Sequence, residues 1–317
     1  MVRRTSNLIN FGIVFTLSVL LSTTLGSGVD GSEEMTYFTP DDNSNNINIS
    51  TYIVSGKIHI NGDSGWAAAK SAGICVGEGT FSDPYIIENY EIHAGYSGSC
   101  VFIENSIVHF RIENCYVFSS GFGDVPEGGD AGITLSNVQN GELIKNECTS
   151  DGFGIFLFNS SNNTISNNII HRNEEGIFLK DSNHNEILLN TIYSNFYRGI
   201  VLWHSSYNTI IRNSVSRHEL SGIRLSYSDY NMISLNTINS GWGGGILLKW
   251  SNKNAILSNF IIPSIAIDCL ERDSMGNVYL FNTGKLFYIS LFLKIFVLSI
   301  FTGRRIKKRL KLKKRLH

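Results

Sequence analysis

A motif of Gly-Ile-x-Leu, then Asn, then Asn-x-Ile recurs between Gly132 and Ile262 and constrains the fold more than any other feature of this chain. The six opening glycines follow one another at 22 or 23 residues, and an asparagine stands fourteen residues after each of them. They are Gly132, Gly154, Gly176, Gly199, Gly222 and Gly245. A fixed period in the twenties is typical of solenoid proteins, in which one structural unit stacks on the next.

Each repeat contains three short segments with strand periodicity. Apolar residues alternate with other residues at Ile155 and Leu157, and further β-branched residues follow each asparagine by two positions, as at Ile165 and Ile170. Alternation with a period of two is typical of strands, and the intervening Gly, Asn and Ser favour tight turns. Three strands in 22 or 23 residues do not make a hairpin sheet, but they can pair with their copies in the next coil. The repeat therefore predicts an all-β parallel β-helix whose coils lie about 4.8 Å apart.

The polar residues that recur at fixed positions have a structural explanation. Stacked coils bring identical asparagines into ladders whose amides hydrogen-bond along the axis. A serine column at Ser160, Ser182, Ser205, Ser228 and Ser251 predicts a similar ladder. We expect these ladders to stabilise the fold and to take no part in binding.

The N-terminal region has the composition of an export signal. Arg3 and Arg4 precede an apolar run from Leu8 to Leu21 and a small polar segment, so residues 1–26 are predicted to be a signal peptide. An uncleaved membrane anchor is the alternative. Residues 27–57 are acidic and rich in asparagine, which predicts a linker. Residues 58–131 are assigned to an N-terminal cap with degenerate first coils, 132–262 to regular coils and 263–285 to a C-terminal cap or linker.

The C-terminal region predicts membrane contact. Residues 286–303 form an apolar segment that is predicted to be helical, and nine Lys or Arg and no acid lie in the basic tail at 304–317. This order favours a spanning helix with a cytoplasmic tail. The run is short and Lys294 lies in its middle, so a basic amphipathic segment at the membrane surface is the alternative. The other 303 residues carry a net charge of −10, and no basic patch on the repeats suggests nucleic acid.

The five cysteines have no CxxC spacing, which argues against zinc and thioredoxin chemistry. In an exported chain they suggest disulfides, and the hypothesis is that Cys75 pairs with Cys100 in the cap. Cys148 falls in the column of Ile170 and Ile192, so it is predicted to be a small core residue.

The segment before the regular coils resembles a known family. Gly77 to Asn89 contains a G-T-x-x-x-P-Y-x-I motif of the kind that precedes the first full coil in right-handed β-helix proteins, and Cys100 to Asn105 reads as a degenerate coil. The stretch from Ser119 to Asp130 is predicted to be an inserted loop. From Gly77 to Ile262 the chain resembles the NosD-type and CASH repeats of the pectate-lyase-like superfamily. The resemblance implies a right-handed helix and a cell-surface setting.

Carboxylates for catalysis are sparse. Relatives of this fold that cleave polysaccharides use clustered acids, which bind Ca²⁺ or act as paired acid and base. Here the weak catalytic candidates are Glu174, Glu175 and Glu219, in the loops before the glycines. The histidines do not form one column, so no metal site is predicted, and no cofactor is expected except Ca²⁺ in a lyase.

The outward positions of the first strand in each repeat carry the predicted binding residues. Aromatic side chains next to cations favour sugar rings or a protein partner. The candidates on the strands are Phe156, Phe158, Phe178, Lys180, Trp203, Arg224 and Lys249, and those on adjacent loops are Tyr197, Arg198, Arg217 and Trp242.

These patterns predict an exported, membrane-anchored protein outside the cell that recognises a glycan or an envelope partner without catalysis. The alternatives are a polysaccharide lyase or glycoside hydrolase acting on acidic sugars and a structural spacer of the cell surface.

Overall fold

The computed structural model describes residues 52–122, 129–239, 244–262 and 269–284. The first elements are β1 (Ile53–Ser55), β2 (Ile58–Asn61), α1 (Gly62–Ser71), β3 (Tyr85–Glu88), β4 (Tyr90–His93), β5 (Val101–Ser106), β6 (Phe110–Glu113), β7 (Tyr116–Phe118), β8 (Ala131–Val138) and β9 (Gly141–Ile144). The middle elements are β10 (Glu147–Thr149), β11 (Phe153–Phe158), β12 (Thr164–Ser166), β13 (Ile169–His171), β14 (Glu175–Lys180), β15 (Glu186–Leu188), β16 (Thr191–Tyr193), β17 (Arg198–Trp203) and β18 (Thr209–Ile211). The last are β19 (Ser214–Ser216), β20 (Ile223–Ser226), β21 (Met232–Ser234), β22 (Thr237–Asn239), β23 (Ile246–Lys249), β24 (Ala255–Leu257), β25 (Phe260–Ile261), β26 (Cys269–Arg272), β27 (Val278–Leu280) and β28 (Thr283–Gly284).

Every third strand belongs to the same parallel sheet. Sheet 1 contains β2 and each third strand through β26, sheet 2 runs in the same way from β3 to β27, and sheet 3 runs from β1 to β28. The register is constant, so Ile155 pairs with Ile133 in the preceding coil and with Ile177 in the following coil. The predicted right-handed parallel β-helix is therefore confirmed.

The core is a continuous column of aliphatic side chains inside the coils. Ile155 lies in sheet 1, Ile165 in sheet 2 and Ile170 in sheet 3, and each has 0% of its surface exposed. Cys148 belongs to the same cluster at 0% exposure, as the sequence predicted. Because each coil buries its apolar face only against its neighbours, the interior is stabilised by stacking.

The predicted serine ladder is present at the turn after sheet 1. The backbone N–H of Ser160 donates to Oγ of Ser182 at 3.0 Å, and that of Ser182 donates to Oγ of Ser205 at the same distance. These hydroxyls are buried and also donate within their own turns, as from Ser160 Oγ to the Phe158 carbonyl. The prediction that the column is structural is confirmed.

Helix α1 was not anticipated from the sequence. It packs on β2 and β5 and buries Trp66 completely. The Trp66 ring stacks on Tyr85 at 4.9 Å, and its Nε1 donates to Oγ of Ser106 at 2.9 Å. The helix thus covers the apolar interior of the first coils.

Strands occur in the predicted linker 27–57 and in the predicted C-terminal cap or linker 263–285. In the segment 27–57, β1 pairs with β4 through Ile53 and Tyr90. In the segment 263–285, β26 to β28 extend all three sheets. The last coil forms because Asn277 and Asn282 continue the two asparagine ladders, as in the hydrogen bond from Asn254 Nδ2 to Asn277 Oδ1 at 3.0 Å. No Gly-Ile-x-Leu motif precedes Asn277 and Asn282 in the sequence.

The predicted signal peptide, the first part of the acidic linker, the apolar segment 286–303 and the basic tail lie outside the described residues. Among the residues that are described, no helix is long and apolar enough to span a membrane.

The proposed disulfide between Cys75 and Cys100 is wrong in this structure, because both residues are free thiols. Sγ of Cys100 donates to the carbonyl of Phe118 at 3.3 Å, and burial raises the pKa of its thiol to about 12. Cys75 is buried separately, in the segment that follows α1. Each thiol acts as a small apolar residue of the core cluster.

Candidate functional site

The outward side chains of sheet 1 form three parallel columns, because the register between coils is constant. The first column contains Phe153, Glu175 and Arg198. The second contains Thr134, Phe156, Phe178, Val201, Arg224 and Leu247. The third contains Ser136, Phe158, Lys180, Trp203, Ser226 and Lys249. The predicted strand candidates therefore occupy the second and third columns.

The predicted ligand residue Phe156 is not accessible. Its ring is 0% exposed and belongs to a small apolar cluster with Ala131 and Phe153, against which Phe158 and Phe178 pack. Phe153 stacks on Phe156 at 5.2 Å and meets Phe178 edge to face at 5.3 Å. Outward direction in a strand therefore did not mean exposure here, since aromatic neighbours cover the ring.

Glu175 and Arg198 form an ion pair that is largely buried, with 8% and 20% of their side chains exposed. Burial raises the pKa of the Glu175 carboxyl, and the charge of Arg198 and a hydrogen bond from it act in the opposite direction. Glu175, which was predicted as a catalytic candidate, and Arg198, which was predicted as a binding residue, thus form a pair. Oε2 of Glu175 is buried and has no hydrogen-bond partner among the described residues.

A surface that we call the aromatic edge lies where the third column meets the turn after sheet 1. It consists of Trp203, His204, Tyr227, Lys249 and Trp250. The rings of His204 and Tyr227 are 4.8 Å apart and 4° from parallel, and those of Tyr227 and Trp250 are 4.7 Å apart and 20° from parallel. Trp203 tilts by 46° to His204. Trp203, Tyr227 and Trp250 are each 38–40% exposed.

The backbone explains why the aromatic edge points to solvent. His204, Tyr227 and Trp250 each stand five residues after an opening glycine and have φ of 50°, 53° and 49°. This left-handed conformation turns the chain sharply and is uncommon for aromatic residues. Lys249 places Nζ 3.9 Å from the centre of the Trp250 ring, a cation–π contact at the end of the stack.

A second exposed stack follows three residues later along each turn. His184, Tyr207 and Tyr230 lie eight residues after an opening glycine, with ring distances of 5.1 and 5.0 Å and interplanar angles of 9° and 2°. Nζ of Lys253 donates to the Tyr230 hydroxyl at 2.6 Å. Neither stack was identified from the sequence, although the constant offsets of 5 and 8 residues were visible there.

A cavity of about 400 Å³ opens between the loops that precede the glycines. Its walls are Tyr96, Phe122, Ser150, Asp151, Arg172, Asn173, Glu174 and Phe196. Of the three weak acid candidates, Glu174 is the one that lines this cavity, whereas Glu175 is paired with Arg198. Glu219 is exposed and is not among the cavity residues. The sequence indicated the loops but not the cavity.

Asp151 belongs to a fourth ladder, besides the two asparagine ladders and the serine ladder, and this one was not predicted from the sequence. The backbone N–H of Asp151 donates to Asn173 Oδ1 and that of Asn173 donates to Asn195 Oδ1, both at 3.0 Å, while the N–H of Asn195 donates to Nδ1 of His218. The four residues are 1–2% exposed. Burial lowers the pKa of His218 to about 4, so this imidazole is neutral at pH 7.

The Asp151 carboxyl occupies a place where the next coils have amides. Its Oδ1 accepts the N–H of Ser120 at 2.7 Å, but Oδ2 has no hydrogen-bond partner among the described atoms. In the next coil Nδ2 of Asn173 donates to the carbonyl of Cys148 at 3.2 Å. Val117 pairs with Cys148, so its carbonyl is the corresponding acceptor for residue 151. Burial raises the pKa of Asp151 well above its usual range, because an anion there is poorly solvated, and the hydrogen bonds from Ser120 only partly oppose this.

Replacing Asp151 by Asn is expected to stabilise the protein at neutral pH by about 1–2 kcal/mol, since a neutral amide can donate to the Val117 carbonyl without the cost of burying a charge or of keeping a carboxyl protonated above its usual pKa. The unfolded chain releases the Asp151 proton near pH 4, but the folded chain holds it to higher pH. The free energy of unfolding of the wild type should therefore fall as pH rises from about 4 towards the raised pKa. Urea unfolding between pH 4 and 8 measures the difference. The exposed Asp181→Asn is the control, and parallel pH profiles for wild type and D151N would contradict this assignment.

The other predicted residues lie around these features. Nζ of Lys180 is 5.2 Å from the centre of the Phe158 ring, and Tyr197 is 39% exposed beside Phe196. Arg224 is half-buried and donates from Nε to Oγ of Ser226 at 3.0 Å, while Arg217 is exposed. Trp242 lies outside the described residues.

The arrangement of potential metal ligands is dispersed. Within the described part of the chain, no three His, Cys, Asp or Glu side chains come together in a way that could hold a metal ion. His171 contacts Glu147 at 3.0 Å, and His184 and His204 are stacked on tyrosines. The described residues thus do not fit a metal centre of this kind.

Solved structures of similar fold include two mutants of the periplasmic alginate epimerase AlgG. One has 17% sequence identity and a TM-score of 0.52 over 62% of this chain and 50% of its own length. The other has 14% identity and a TM-score of 0.52 over 73% of this chain and 62% of its own. DFA-IIIase from Arthrobacter chlorophenolicus A6 matches at 13% identity and a TM-score of 0.49, over 62% and 54%. The chain spans 50–62% of the length of these structures, and the epimerases show a shared fold.

No curated protein matches the sequence. The sequence model of the family described as periplasmic copper-binding protein (NosD) matches residues 86–265, which is more than half of the 317 residues.

Proposed function

Because the chain belongs to the family described as periplasmic copper-binding protein (NosD), we propose that it is an extracytoplasmic protein. We further propose that it binds a polysaccharide along its aromatic edge. The observation that carries the proposal is the exposed group of Trp203, Tyr227 and Trp250 with Lys249 at its end. Three exposed rings and one cation thus lie side by side along one edge of sheet 1.

The family description raises copper, and the described side chains do not support a copper site. Copper prefers clusters of imidazole and soft sulfur ligands. Here the described histidines and cysteines form no group of three, and the four cysteines at 75, 100, 115 and 148 are buried in the core. No step of the proposed function therefore involves a metal.

The chemistry of the aromatic edge suits a sugar chain. An aromatic ring offers a flat apolar surface to the C–H face of a pyranose, and a lysine can donate to hydroxyl or carboxylate oxygens. Trp203 lies 6.2 Å from Tyr227 and tilts by 50° to it, so the two rings present differently oriented surfaces along the edge. The same fold carries an enzyme of a polysaccharide, the alginate epimerase, in the solved structures.

Recognition without catalysis is favoured by the position of the acids. Glu175 is neutralised by Arg198, and the aromatic edge as defined contains no carboxylate. A lyase or glycoside hydrolase would act through Glu174 or Glu219 and would release unsaturated products or new reducing ends. Incubation of the protein with alginate, pectate, dextran and mannan, with and without Ca²⁺, distinguishes that alternative from binding alone.

An extracytoplasmic setting completes the proposal. The matching family is described as a periplasmic copper-binding protein, and the alginate epimerase of similar fold is periplasmic. In this proposal residues 1–26 direct export, and residues 286–303 with the basic tail hold the β-helix at a membrane. Fractionation of cells that express either the full chain or a version without residues 286–317 would test the anchor separately from binding.

The double substitution Trp203→Ala with Trp250→Ala is expected to weaken polysaccharide binding by at least tenfold, since it removes two exposed ring surfaces worth about 1 kcal/mol each. Affinity electrophoresis in gels containing alginate, pectate, dextran or mannan measures the effect on the polymer that retards the wild type.

The matched control is Phe281→Ala, because Phe281 is 81% exposed on the last described coil, away from the aromatic edge. It should leave the affinity unchanged. If no polymer retards the wild type, or if the double variant binds as tightly as the wild type, the proposed function is wrong. Unchanged thermal unfolding of the variants would show that the fold is intact.

A further inference from the structure

The cavity between the loops before the glycines contains a set of side chains that the aromatic edge does not use. We propose that this cavity is a separate saccharide site, which takes one neutral pyranose unit between Tyr96, Phe122 and Phe196 and hydrogen-bonds its hydroxyls through Arg172 and Glu174. The inference rests on the proposed function in one respect, namely that the ligand is a sugar. It assigns that sugar to different residues.

The aromatic side chains of the cavity are unusually exposed. Tyr96, Phe122 and Phe196 have 66%, 59% and 53% of their surface exposed, although each is a large side chain that normally gains from burial. Phe196 meets Tyr197 edge to face at 4.7 Å, and Tyr96 meets His93 in the same way at 5.8 Å. Edge contacts of this kind leave ring faces uncovered.

This arrangement differs from the aromatic edge in a way that matters for sugars. In the stack of His204, Tyr227 and Trp250 neighbouring rings cover one another's inner faces at about the coil spacing, so the aromatic edge meets a polymer with the exposed parts of these rings and with the tilted Trp203. Around the cavity no two aromatic walls are stacked in parallel among the described residues. The cavity therefore offers free ring faces, and a pyranose has apolar C–H faces that match them.

Two polar groups of opposite charge complete the cavity. Among the described residues the Arg172 guanidinium and the Glu174 carboxylate form no ion pair and no hydrogen bond, so both are available to a ligand. Arginine offers donors only and an ionised carboxylate offers acceptors only. A pair of neighbouring sugar hydroxyls, each both donor and acceptor, can satisfy the two groups together.

The backbone holds both residues firmly. The N–H of Glu174 donates to the Asp151 carbonyl at 3.1 Å, and the Glu174 carbonyl accepts the N–H of Tyr197 at 2.7 Å. The N–H of Arg172 donates to the Ser194 carbonyl at 3.2 Å, and its φ of 57° places it at a left-handed turn. Positions fixed before binding reduce the entropy that a ligand must overcome.

The size and charge of the cavity select the class of ligand. Its volume of about 400 Å³ lies within the range of ~300–1,000 Å³ that is usual for small-molecule sites. The charges of Arg172 and Glu174 cancel, and burial raises the pKa of the Asp151 carboxyl, the other acid of the wall, which favours its neutral form. The carboxylate of a uronate would be attracted to the Arg172 guanidinium but would also lie near the Glu174 carboxylate, which repels it. A neutral pyranose meets no such repulsion.

The test uses methyl α-glucoside, methyl α-mannoside, methyl β-galactoside and methyl β-glucuronide as probes of the full chain. We expect at least one neutral glycoside to bind with millimolar affinity, measured by saturation-transfer NMR and calorimetry. Arg172→Ala and Phe196→Ala should each weaken that binding by tenfold or more. Binding of the glucuronide alone, binding of no probe, or binding that survives both substitutions would overturn the assignment.

Two controls separate this site from general effects and from the aromatic edge. Arg212→Ala removes an exposed arginine at a turn with φ of 56°, close to the 57° of Arg172, and should leave glycoside binding unchanged. The double variant Trp203→Ala with Trp250→Ala should also retain it. If this double variant loses polymer binding and retains glycoside binding, the cavity and the aromatic edge are separate sites. If the wild type binds no polymer, only the proposed function is refuted.

Discussion

Replacing Asn190 by Ala is expected to lower the free energy of unfolding by about 3–5 kcal/mol, a large effect for one polar side chain. Oδ1 of Asn190 accepts hydrogen bonds from the backbone N–H and from Nδ2 of Asn168, both at 2.9 Å. Nδ2 of Asn190 donates to the Ile165 carbonyl at 2.8 Å and to Oδ1 of Asn213 at 3.0 Å. The residue is 1% exposed, so water cannot replace these partners.

The loss should exceed that of an ordinary hydrogen bond because the substitution leaves the Asn168 N–H buried without an acceptor. Urea unfolding followed by circular dichroism measures the change. The matched control is Asn167→Gly, which removes an exposed asparagine amide. Glycine adopts the φ of 57° at this position without strain. This control should change stability by less than about 1 kcal/mol. Equal effects of the two substitutions would show that the ladder does not stabilise the coils.

The same ladder shows why the fold could be predicted from the sequence. Asn168, Asn190 and Asn213 recur at 22 and 23 residues because each amide must meet the next, so the spacing records the length of a coil. The inward Ile and Leu positions follow from the same register. A constraint that acts between neighbours in space was visible as a period along the chain.

The ends of the β-helix were harder to predict because one part of the motif is missing there. The last coil retains Asn277 and Asn282 but has Asp268 where an opening glycine would stand. The glycine spacing alone therefore predicts that the coils end at Ile262. Helix α1 was missed for a related reason, since Gly62 to Ser71 lies outside the repeat and has no internal period.

The binding residues were predicted only in part. Trp203 and Lys249 follow from strand alternation, and the structure places both at the exposed aromatic edge. Phe156 follows from the same rule but is buried, because Phe153 at the start of the same strand covers it. Alternation gives the direction of a side chain, while its exposure depends on the side chains that surround it.

The cavity could not be found by a reading of equal offsets. Tyr96 and Phe122 come from the irregular N-terminal coils, whereas Arg172, Glu174 and Phe196 come from regular ones. Glu174 and Phe196 stand at the same position, each directly after an asparagine of the Asp151 ladder, but the two residue types have nothing in common. Tyr96 and Phe122 fall outside the regular repeat. Asp151 was missed because its ladder contains Asp, Asn, Asn and His rather than one residue type.

A shared register links stability and the proposed function. The coil spacing that brings Asn168 to Asn190 inside also brings Tyr227 to Trp250 outside, at 4.7 Å. An exposed ring stack therefore costs the fold little, because the turn at that position is already fixed by the serine and asparagine ladders. The outward positions of the turn are free to vary in chemistry, which is where a ligand preference would be set.

Replacing Gly176 by Ala is expected to destabilise the protein by about 3 kcal/mol or more through steric overlap. A β-carbon at this position would lie 2.7 Å from Cγ2 of Ile192 and 2.9 Å from Nδ2 of Asn195, and it would collide with the carbonyl oxygen of Gly199. The first two contacts are with side chains that are themselves buried, and the third is with backbone that pairs in the next coil. None of these atoms can move without disturbing the stacking. The control is Gly56→Ala, where a β-carbon would have no atom within 4 Å, so this variant should be as stable as the wild type or slightly more stable. Thermal unfolding of both variants tests the expectation, and a G176A protein with an unchanged midpoint would mean that the coils can separate at the glycine column.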